Sequence, residues 1–164
     1  MSVKVAVLMG VSGSGKTTIG GGFAKATGWA FEEGDRWHPP ANIEKMRAGI
    51  PLGDEDRWPW LDALARAIGE WIAADRRTVL TCSALKQAYR ERLAGGRPEV
   101  AFAYLRGTPE LVASRVTASR HEYMPSTLLP SQFAALEEPV GAIMLDISQS
   151  PKLLINQLRR SLGV

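Results

Sequence analysis

Residues 10–17 read Gly10-Val11-Ser12-Gly13-Ser14-Gly15-Lys16-Thr17 and match the pattern G-x-x-x-x-G-K-[ST] in full. An apolar, β-type run at residues 3–9 comes directly before them, and a helix-compatible stretch, residues 16–27, begins at their end. A loop of this pattern between a strand and a helix binds phosphate, because its glycines let backbone N–H groups point at an anion beside the positive end of the helix. The sequence therefore predicts binding of a nucleoside triphosphate; the alternative is a plain turn between strand and helix.

The residue types within this loop predict how the nucleotide is held. Lys16 is expected to reach the β- and γ-phosphates, and the Thr17 hydroxyl is expected to hold Mg²⁺. ATP and Mg²⁺ are therefore the predicted cofactors. The predicted nucleotide-binding residues of this segment are Gly10, Ser12, Gly13, Ser14, Gly15, Lys16, Thr17 and Thr18.

The bulk composition bounds the class of protein. The chain has 164 residues, of which 45% are hydrophobic and 23% charged, and this suits one globular domain over residues 1–164. The net charge of +3 is mild and no block of Lys and Arg exceeds two residues, so a nucleic-acid partner is not expected. The single cysteine, Cys82, excludes an internal disulfide. With no signal peptide before the first strand and no apolar stretch of membrane-spanning length, a cytoplasmic location and no membrane partner are expected.

Strand-like and helix-like patterns alternate along the chain. Apolar, β-type runs occur at residues 3–9, 29–32, 78–82, 100–105 and 142–147, and their continuous apolar character is typical of strands buried on both faces. One amphipathic helix is expected after Pro59, with Trp60 in the core. The pattern predicts an α/β fold, a P-loop three-layer sandwich of about five parallel strands with helices on both faces.

Local signals mark several helix ends. Thr108-Pro109 and Ser150-Pro151 are typical of an N-cap followed by proline at the first helical position, and Gly28 stands where a helix C-cap belongs. Two segments break the alternation. Residues 34–60 are rich in Pro, Gly, Trp and charge and predict a substrate-binding insert, whereas the polar residues 119–131 predict a mobile lid.

Phosphate-binding loops serve several classes of protein, and some are excluded. The chain has no N-K-x-D element, which a GTPase needs, and no L-S-G-G-Q-like signature, which an ABC-type ATPase needs. A short chain with a polar insert after its second strand favours a small-molecule kinase. Kinases of shikimate, adenylylsulfate or a nucleoside monophosphate remain alternatives, as does a module that binds nucleotide without transferring phosphate.

The insert narrows the choice. It contains Gly34-Asp35, His38-Pro39, Asn42, Lys45-Met46, Gly49, Pro51-Leu52, Asp54, Asp56-Arg57 and Pro59-Trp60-Leu61. This series resembles the gluconokinase family, whose pattern is roughly G-D-x-x-H-P-x-x-N-x-x-K-M-x-x-G-x-P-L-x-D-x-D-R-x-P-W-L. The resemblance continues in residues 82–86, Tyr89-Arg90, Leu128-Leu129, Ser131-Gln132-Phe133 and Leu136-Glu137. It implies ATP-dependent phosphorylation of the 6-hydroxyl of D-gluconate, and a possible homodimer.

Residue roles follow from chemistry and from this resemblance. Asp35, just past the second strand, is expected to accept the proton of the attacking hydroxyl or to orient it. A sugar-acid carboxylate needs a cationic partner, and Arg57 is favoured over Lys45 because arginine offers bidentate geometry. The other predicted substrate-binding residues are His38, which could instead cap the next helix, Ser83, and Lys86, which is spaced with Arg90 on one helix. Cys82 is expected to be buried rather than nucleophilic.

Two arginines flank the predicted lid. By analogy with lidded small-molecule kinases, Arg115 is expected to bind the nucleotide and Arg120 to close over the transferring phosphoryl group. Lys16, Asp35 and Arg120 are therefore the predicted catalytic residues. The lid departs from its family at His121-Glu122-Tyr123-Met124, where many members have a G-H-F-M-like sequence.

Overall fold

A single parallel sheet forms the centre of the protein. The computed structural model describes residues 2–118 and 128–164. Within them, the strands are β1 Val5–Met9, β2 Ala30–Glu33, β3 Thr78–Thr81, β4 Val100–Arg106 and β5 Ile143–Asp146. They form the sheet in the order β2-β3-β1-β4-β5. Every pairing is parallel, and Val7 of β1 lies opposite Leu80 of β3 and Phe102 of β4. The predicted parallel α/β sheet is thus confirmed, with each strand end within two residues of the prediction.

Helices connect the strands, and a short 3-10 helix, Gly34–Trp37, follows β2. The α-helices of the described residues are α1 Lys16–Thr27, α2 Pro40–Arg47, α3 Asp54–Ala73, α4 Gln87–Ala94, α5 Pro109–Ala118, α6 Leu129–Ala135 and α7 Pro151–Leu162. No helix among the described residues is long and apolar enough to cross a membrane.

The central strands β1 and β3 are buried on both faces, as their continuous apolar runs predict, whereas the outer strands β2 and β5 are only partly buried. Side chains alternate along β1, so that Val5, Val7 and Met9 pack in one cluster with α3 and α4. Ala6 and Leu8 face the other way, into a cluster built with α1, α5, α6 and α7. The result is the predicted arrangement of three layers, helix, sheet and helix.

The expected helix ends form as predicted. Ser150 Oγ accepts a hydrogen bond from the backbone N–H of Leu153, and Thr108 Oγ1 accepts one from Leu111. Gly28 ends α1 in the left-handed conformation at φ 80°, which glycine adopts without steric cost.

The start of α3 differs from the prediction. The helix does not follow Pro59 but begins at Asp54, with Pro59 inside it. Asp56 supplies the local reason, because its carboxylate accepts from the N–H of Gly53 at 2.9 Å and caps the first turn. Pro59 lacks the N–H that would reach the Glu55 carbonyl and its ring crowds that carbonyl, but both residues are exposed, so water can satisfy the carbonyl oxygen.

Candidate active site

A cavity of about 940 Å³ lies at the carboxyl ends of the strands. Each strand sends residues to it, because parallel strands end at the same edge of the sheet. One lining residue from the segment after each strand, in the order β1 to β5, is Lys16, Asp35, Ser83, Arg115 and Gln149. Since β2 and β5 are the two outer strands, the insert after β2 and the loop after β5 lie on opposite sides of the phosphate loop.

The phosphate loop is closely packed at its glycines. Gly10 has φ 148°, and a Cβ there would lie 2.9 Å from Ser14 Oγ and 3.0 Å from the carbonyl oxygen of Leu105. Gly13 has φ 81°, and its Cβ would lie 2.3 Å from Val116 of α5. Both positions therefore require glycine for conformation and for space.

The loop is suited to an anion. Its last residue before α1, Gly15, gives the helix no side-chain cap, and the first turn of α1 contains no acidic residue. The amides at this helix start are therefore available to an anion beside the positive helix end. The Ser14 hydroxyl adds a buried oxygen without a hydrogen-bond partner among the described residues. These donors fit a chain of phosphate groups.

Lys16 lies within the loop. Its ammonium group donates to the carbonyl oxygens of Gly10 and Val11, at 2.9 Å each. Burial lowers the pKa of Lys16, and the negative charge of Asp35 opposes that shift. A partly desolvated ammonium group close to Asp35 and to the loop amides is well placed to meet a phosphate oxygen.

Gln132 is a contact that the sequence interpretation missed. The side chain is buried on α6, and its Oε1 accepts a hydrogen bond of 2.7 Å from the backbone N–H of Ser12. The bond joins α6 to the phosphate loop across 120 residues of sequence. The resemblance of Ser131-Gln132-Phe133 to the family pattern pointed to this residue, but nothing in the sequence indicated that its partner is the backbone of Ser12.

Asp35 and His38 lie together at the cavity, on and just after the 3-10 helix. His38 is buried and stacks on the Trp60 ring at 3.9 Å, and its Nε2 lies 3.9 Å from Asp35 Oδ1. Trp60 is in the core, as predicted, and its Nε1 donates to the Gly34 carbonyl at 2.8 Å. A Cβ on Gly34 would lie 2.3 Å from the carbonyl oxygen of Thr81, so this glycine lets the segment that carries Asp35 pack against β3.

Arg57 also lines the cavity, from the first turns of α3. Its guanidinium lies over the Tyr89 ring at 5.4 Å, and its Nε is buried without a hydrogen-bond partner among the described residues. Its charge lowers the pKa of His38, of Asp54 and of Asp56, although it is not the largest cause for any of them. The side chain is thus oriented by an aromatic ring and not by a carboxylate of the described chain.

Lys86 and Asp54 form a polar pair beside Arg57. Lys86 Nζ donates to Asp54 Oδ1 at 3.2 Å, and the Tyr89 hydroxyl donates to the same oxygen. The hydrogen bond from Tyr89, followed by that from Lys86, lowers the pKa of Asp54. Lys86 precedes the first residue of α4, so it shares that helix with Arg90 only as its N-cap. Asp54, Lys86 and Tyr89 all line the cavity.

Lys45 lies elsewhere and is not among the residues that line the cavity. Its ammonium group donates to both carboxylate oxygens of Asp56, at 3.0 and 3.1 Å. The pair ties α2 to α3, which gives Lys45 a structural role, and its contact with substrate stays a prediction. Gly10 also lies outside the lining, because its part is to shape the turn beneath the loop.

Ser83 reaches the cavity through an unusual bend. Ser83 lines the cavity, its carbonyl accepts from the N–H of Gly10 at 3.2 Å, and the next residue, Ala84, has φ 44°. Arg90 supports this bend, donating to the carbonyls of Ala84 at 2.7 Å and of Glu137 at 2.8 Å. Arg90 is buried and is not among the residues that line the cavity. The sequence indicated only its charge and helical spacing, so this structural role was missed.

Cys82 precedes that bend and is buried, as predicted. Burial, followed by the charge of Asp35, raises the pKa of its thiol to about 12. Because the thiol stays protonated, it is not a nucleophile at physiological pH.

Arg115 lines the cavity from α5 and donates a hydrogen bond to the Ile147 carbonyl after β5. It therefore lies on the β5 side, opposite the insert, which is consistent with the predicted nucleotide contact. Arg120 and residues 121–124 lie outside the described residues, as does the predicted lid apart from its last residues, 128–131. Of those last residues, Leu128 and Ser131 line the cavity.

The fold and this phosphate loop are those of the P-loop proteins, and the similarity to known proteins places the chain in one class of them, the small-molecule kinases. A solved structure supports the class at high similarity: an unliganded sugar kinase from Janibacter sp. HTCC2649 has a TM-score of 0.93 at 45% identity, covering 99% of this chain and 95% of that one. As a kinase, the protein uses ATP and acts on a small-molecule substrate.

Two gluconokinases identify the family. The gluconokinase of Gluconobacter oxydans (strain 621H) is 48% identical over 157 residues, which cover 94% of this chain and 88% of that protein. The crystal structure of a gluconokinase from Sinorhizobium meliloti 1021 has a TM-score of 0.85 at 41% identity, covering 99% of this chain and 94% of the other. The chain belongs to the gluconokinase family. No protein-family model matches it.

Proposed function

We propose that this protein transfers the γ-phosphoryl group of MgATP to the 6-hydroxyl group of D-gluconate, giving 6-phospho-D-gluconate and ADP. One observation carries the proposal: a single cavity contains the phosphate loop, the carboxylate of Asp35 and the guanidinium of Arg57. A sugar acid needs all three, namely a phosphate donor, a partner for the reacting hydroxyl and a cation for its carboxylate. The product would feed carbohydrate acid catabolism.

The phosphate side of the reaction is the work of the loop and Lys16. The loop amides and the Ser14 hydroxyl hold phosphate oxygens, and the Lys16 ammonium moves from two loop carbonyls to the β- and γ-phosphates. Thr17 and its neighbour Thr18 are exposed at the start of α1 and line the cavity, so the Thr17 hydroxyl would hold Mg²⁺. The bound ion would neutralise charge on the phosphate oxygens during transfer.

The acceptor side is the work of Asp35. As the oxygen of the 6-hydroxyl bonds to the γ-phosphorus, the bond from that phosphorus to the bridging oxygen breaks, and ADP leaves. The hydroxyl proton passes to the Asp35 carboxylate, which then releases it to water. Arg120 remains the prediction for an arginine over the transferring group, and lies outside the described residues.

The carboxylate of gluconate would bind Arg57. The guanidinium has no carboxylate partner among the described residues, and a buried Nε without a hydrogen bond is costly. Lys86 is held by Asp54 and Lys45 by Asp56, so their charges are already balanced in the described structure. Of these three cations, Arg57 is therefore the one that an incoming carboxylate would stabilise most. Ser83 and His38 would contact hydroxyl groups of the substrate.

Replacing Arg57 with Met should raise KM for gluconate by about 10- to 100-fold, because charge-assisted hydrogen bonds contribute about 1.5–3 kcal/mol. KM for ATP should change little. Steady-state kinetics with both substrates would measure this. D-Glucitol, which carries a hydroxymethyl group in place of the carboxylate, provides the control, because the substitution should cost much less for that acceptor. An equal loss with both acceptors would remove Arg57 from carboxylate recognition.

The proposed activity is tested by ADP release with MgATP across a panel of acceptors. The panel contains gluconate, shikimate, adenylylsulfate, nucleoside monophosphates and no acceptor, and the product is identified by mass and by the position of its phosphate. We expect turnover with gluconate alone and a 6-phosphate product. Turnover with another acceptor would support phosphoryl transfer from the loop-bound ATP but would rule out gluconate as the substrate. ATP binding without any phosphorylated product would favour a regulatory module. A homodimer and a cytoplasmic location remain predictions.

A further inference from the structure

The His38 imidazole is held on several sides. It is buried, stacks on Trp60 with an angle of 19° between the rings, and presents Nε2 toward Asp35 at 3.9 Å. Its other nitrogen, Nδ1, lies 3.2 Å from Nδ2 of Asn42, a buried residue of α2. The proton of a neutral imidazole can be on either nitrogen, so the role of His38 depends on what Asn42 offers it.

A third group fixes the orientation of the Asn42 amide. Nδ2 of Asn42 lies 2.8 Å from the backbone carbonyl oxygen of Asp56. A carbonyl can only accept, so the nitrogen of the amide, and not its oxygen, must occupy this position. That nitrogen has two hydrogens, one for the Asp56 carbonyl and one for His38. Nδ1 of His38 must therefore be the unprotonated acceptor, which leaves the imidazole proton on Nε2.

We infer that Asn42 is a positioning residue that fixes His38 as its Nε2–H tautomer, so that His38 donates a hydrogen bond to the substrate hydroxyl whose proton passes to Asp35. This role goes beyond the proposed function, on which its last step depends. It gives His38 a defined direction of hydrogen bonding and gives Asn42 a part in the reaction without contact to substrate.

The distance between His38 and Asp35 agrees with this arrangement. At 3.9 Å, Nε2 and Oδ1 are too far apart for a hydrogen bond with each other. A hydroxyl oxygen at about 2.7–2.9 Å from each atom fits between them. Such a hydroxyl would donate to the carboxylate and accept from Nε2–H. With the opposite tautomer, two acceptors would face a hydroxyl that has a single hydrogen.

A single Nε2–H tautomer requires a neutral imidazole, and the surroundings of His38 favour one. Burial, followed by the positive charge of Arg57 on α3, lowers the pKa of His38 to about 3. Asp35, on the 3-10 helix, is the acidic group that faces the ring, and it is half exposed to water. Asn42 contributes no charge from α2, so a single neutral tautomer is expected across the physiological range.

The tautomer can be measured directly by ¹⁵N NMR of the imidazole nitrogens in protein labelled at histidine, without any substrate. The chain has two histidines, His38 and His121, and the His121→Gln variant assigns the signals. We expect a protonated Nε2, an unprotonated Nδ1 and no titration of His38 between about pH 5 and 8. A proton on Nδ1, or a titration in that range, would overturn the inference while leaving the proposed activity untouched.

The reaction step is tested by a double-mutant cycle. Asn42→Leu should weaken the preference for the Nε2–H tautomer, leave the ring less firmly oriented and lower kcat/KM for gluconate by about 10-fold, leaving KM for ATP unchanged. His38→Gln keeps a donor that Asn42 does not control. In that background, Asn42→Leu should therefore cost less than about threefold. A full 10-fold loss in both backgrounds would make Asn42 a merely structural residue.

A matched control separates the tautomer from the general tie between α2 and α3. Lys45→Met removes the other hydrogen bonds of α2 to Asp56 but touches neither Asn42 nor His38. Its imidazole ¹⁵N spectrum should match that of the wild type, whereas the spectrum of Asn42→Leu should not. If Lys45→Met shifts the tautomer equally, loosening of the insert and not the Asn42 amide sets it, and the inference fails.

Discussion

Replacing Asp35 with Asn should lower kcat by about 10²–10⁴-fold, the range for a positioned acid–base group. The amide keeps the shape of the carboxylate but cannot take the proton of the attacking hydroxyl. The fold should survive, because the side chain of Asp35 is half exposed and the segment that carries it is held by Gly34 and Trp60. Single-turnover kinetics would separate the chemical step from product release.

A control variant and an ATP-affinity measurement show whether the loss of turnover is specific to Asp35. Asp62→Asn is a matched control. Asp62 lies on α3, outside the cavity lining, and its carboxylate pairs with Arg92 at 2.6 Å. The substitution should leave kcat within about twofold of wild type, as surface ion pairs contribute little. ATP affinity of Asp35→Asn should stay close to normal. Turnover of Asp35→Asn within about threefold of the control would remove Asp35 from the mechanism.

Much of the fold could be predicted because its signals are local. The phosphate loop requires glycine at positions such as Gly10 and Gly13, where the φ angle and the tight contacts exclude a side chain. The eight residues of the loop are therefore enough to predict it from the sequence. The strands are legible because burial on both faces requires continuous apolar runs. The caps at Thr108, Ser150 and Gly28 depend on neighbours within a few residues.

The parts that sequence did not predict depend on distant partners. Arg90 reads as a charge on a helix, yet it is buried because carbonyls of Ala84 and of Glu137, 47 residues away, accept its hydrogen bonds. Gln132 binds an amide 120 residues away. Side-chain charge and spacing do not identify such distant partners. The start of α3 was misplaced for a different reason, because the capping of its first turn by Asp56 is a local signal that outweighed the usual preference of proline for the first turn.

Replacing Lys16 with Met should lower kcat/KM for ATP by about 10²–10³-fold, because one preorganised donor at developing charge accounts for about that much. In the described structure the ammonium binds two loop carbonyls, so its removal also leaves those carbonyls without their donor. Thermal unfolding should therefore show a modest loss of stability. Kinetics in both substrates and calorimetric ATP binding would measure the effect, and a loss below about fivefold would contradict it.

The pH dependence adds a sharper test of Lys16. Only the ammonium form can bind phosphate, and burial lowers its pKa, so kcat/KM should fall as pH rises through that lowered value. Cys82 and Tyr89 are two nearby groups that also lose protons in alkali, but their pKa values are raised, so they titrate later than Lys16. Lys16→Arg keeps a charged group, so the residual activity of this variant should lack the alkaline fall. In Asp35→Asn the fall should move to lower pH, because the Asp35 charge raises the pKa of Lys16. An alkaline limb unchanged in both variants would assign the titration to another group.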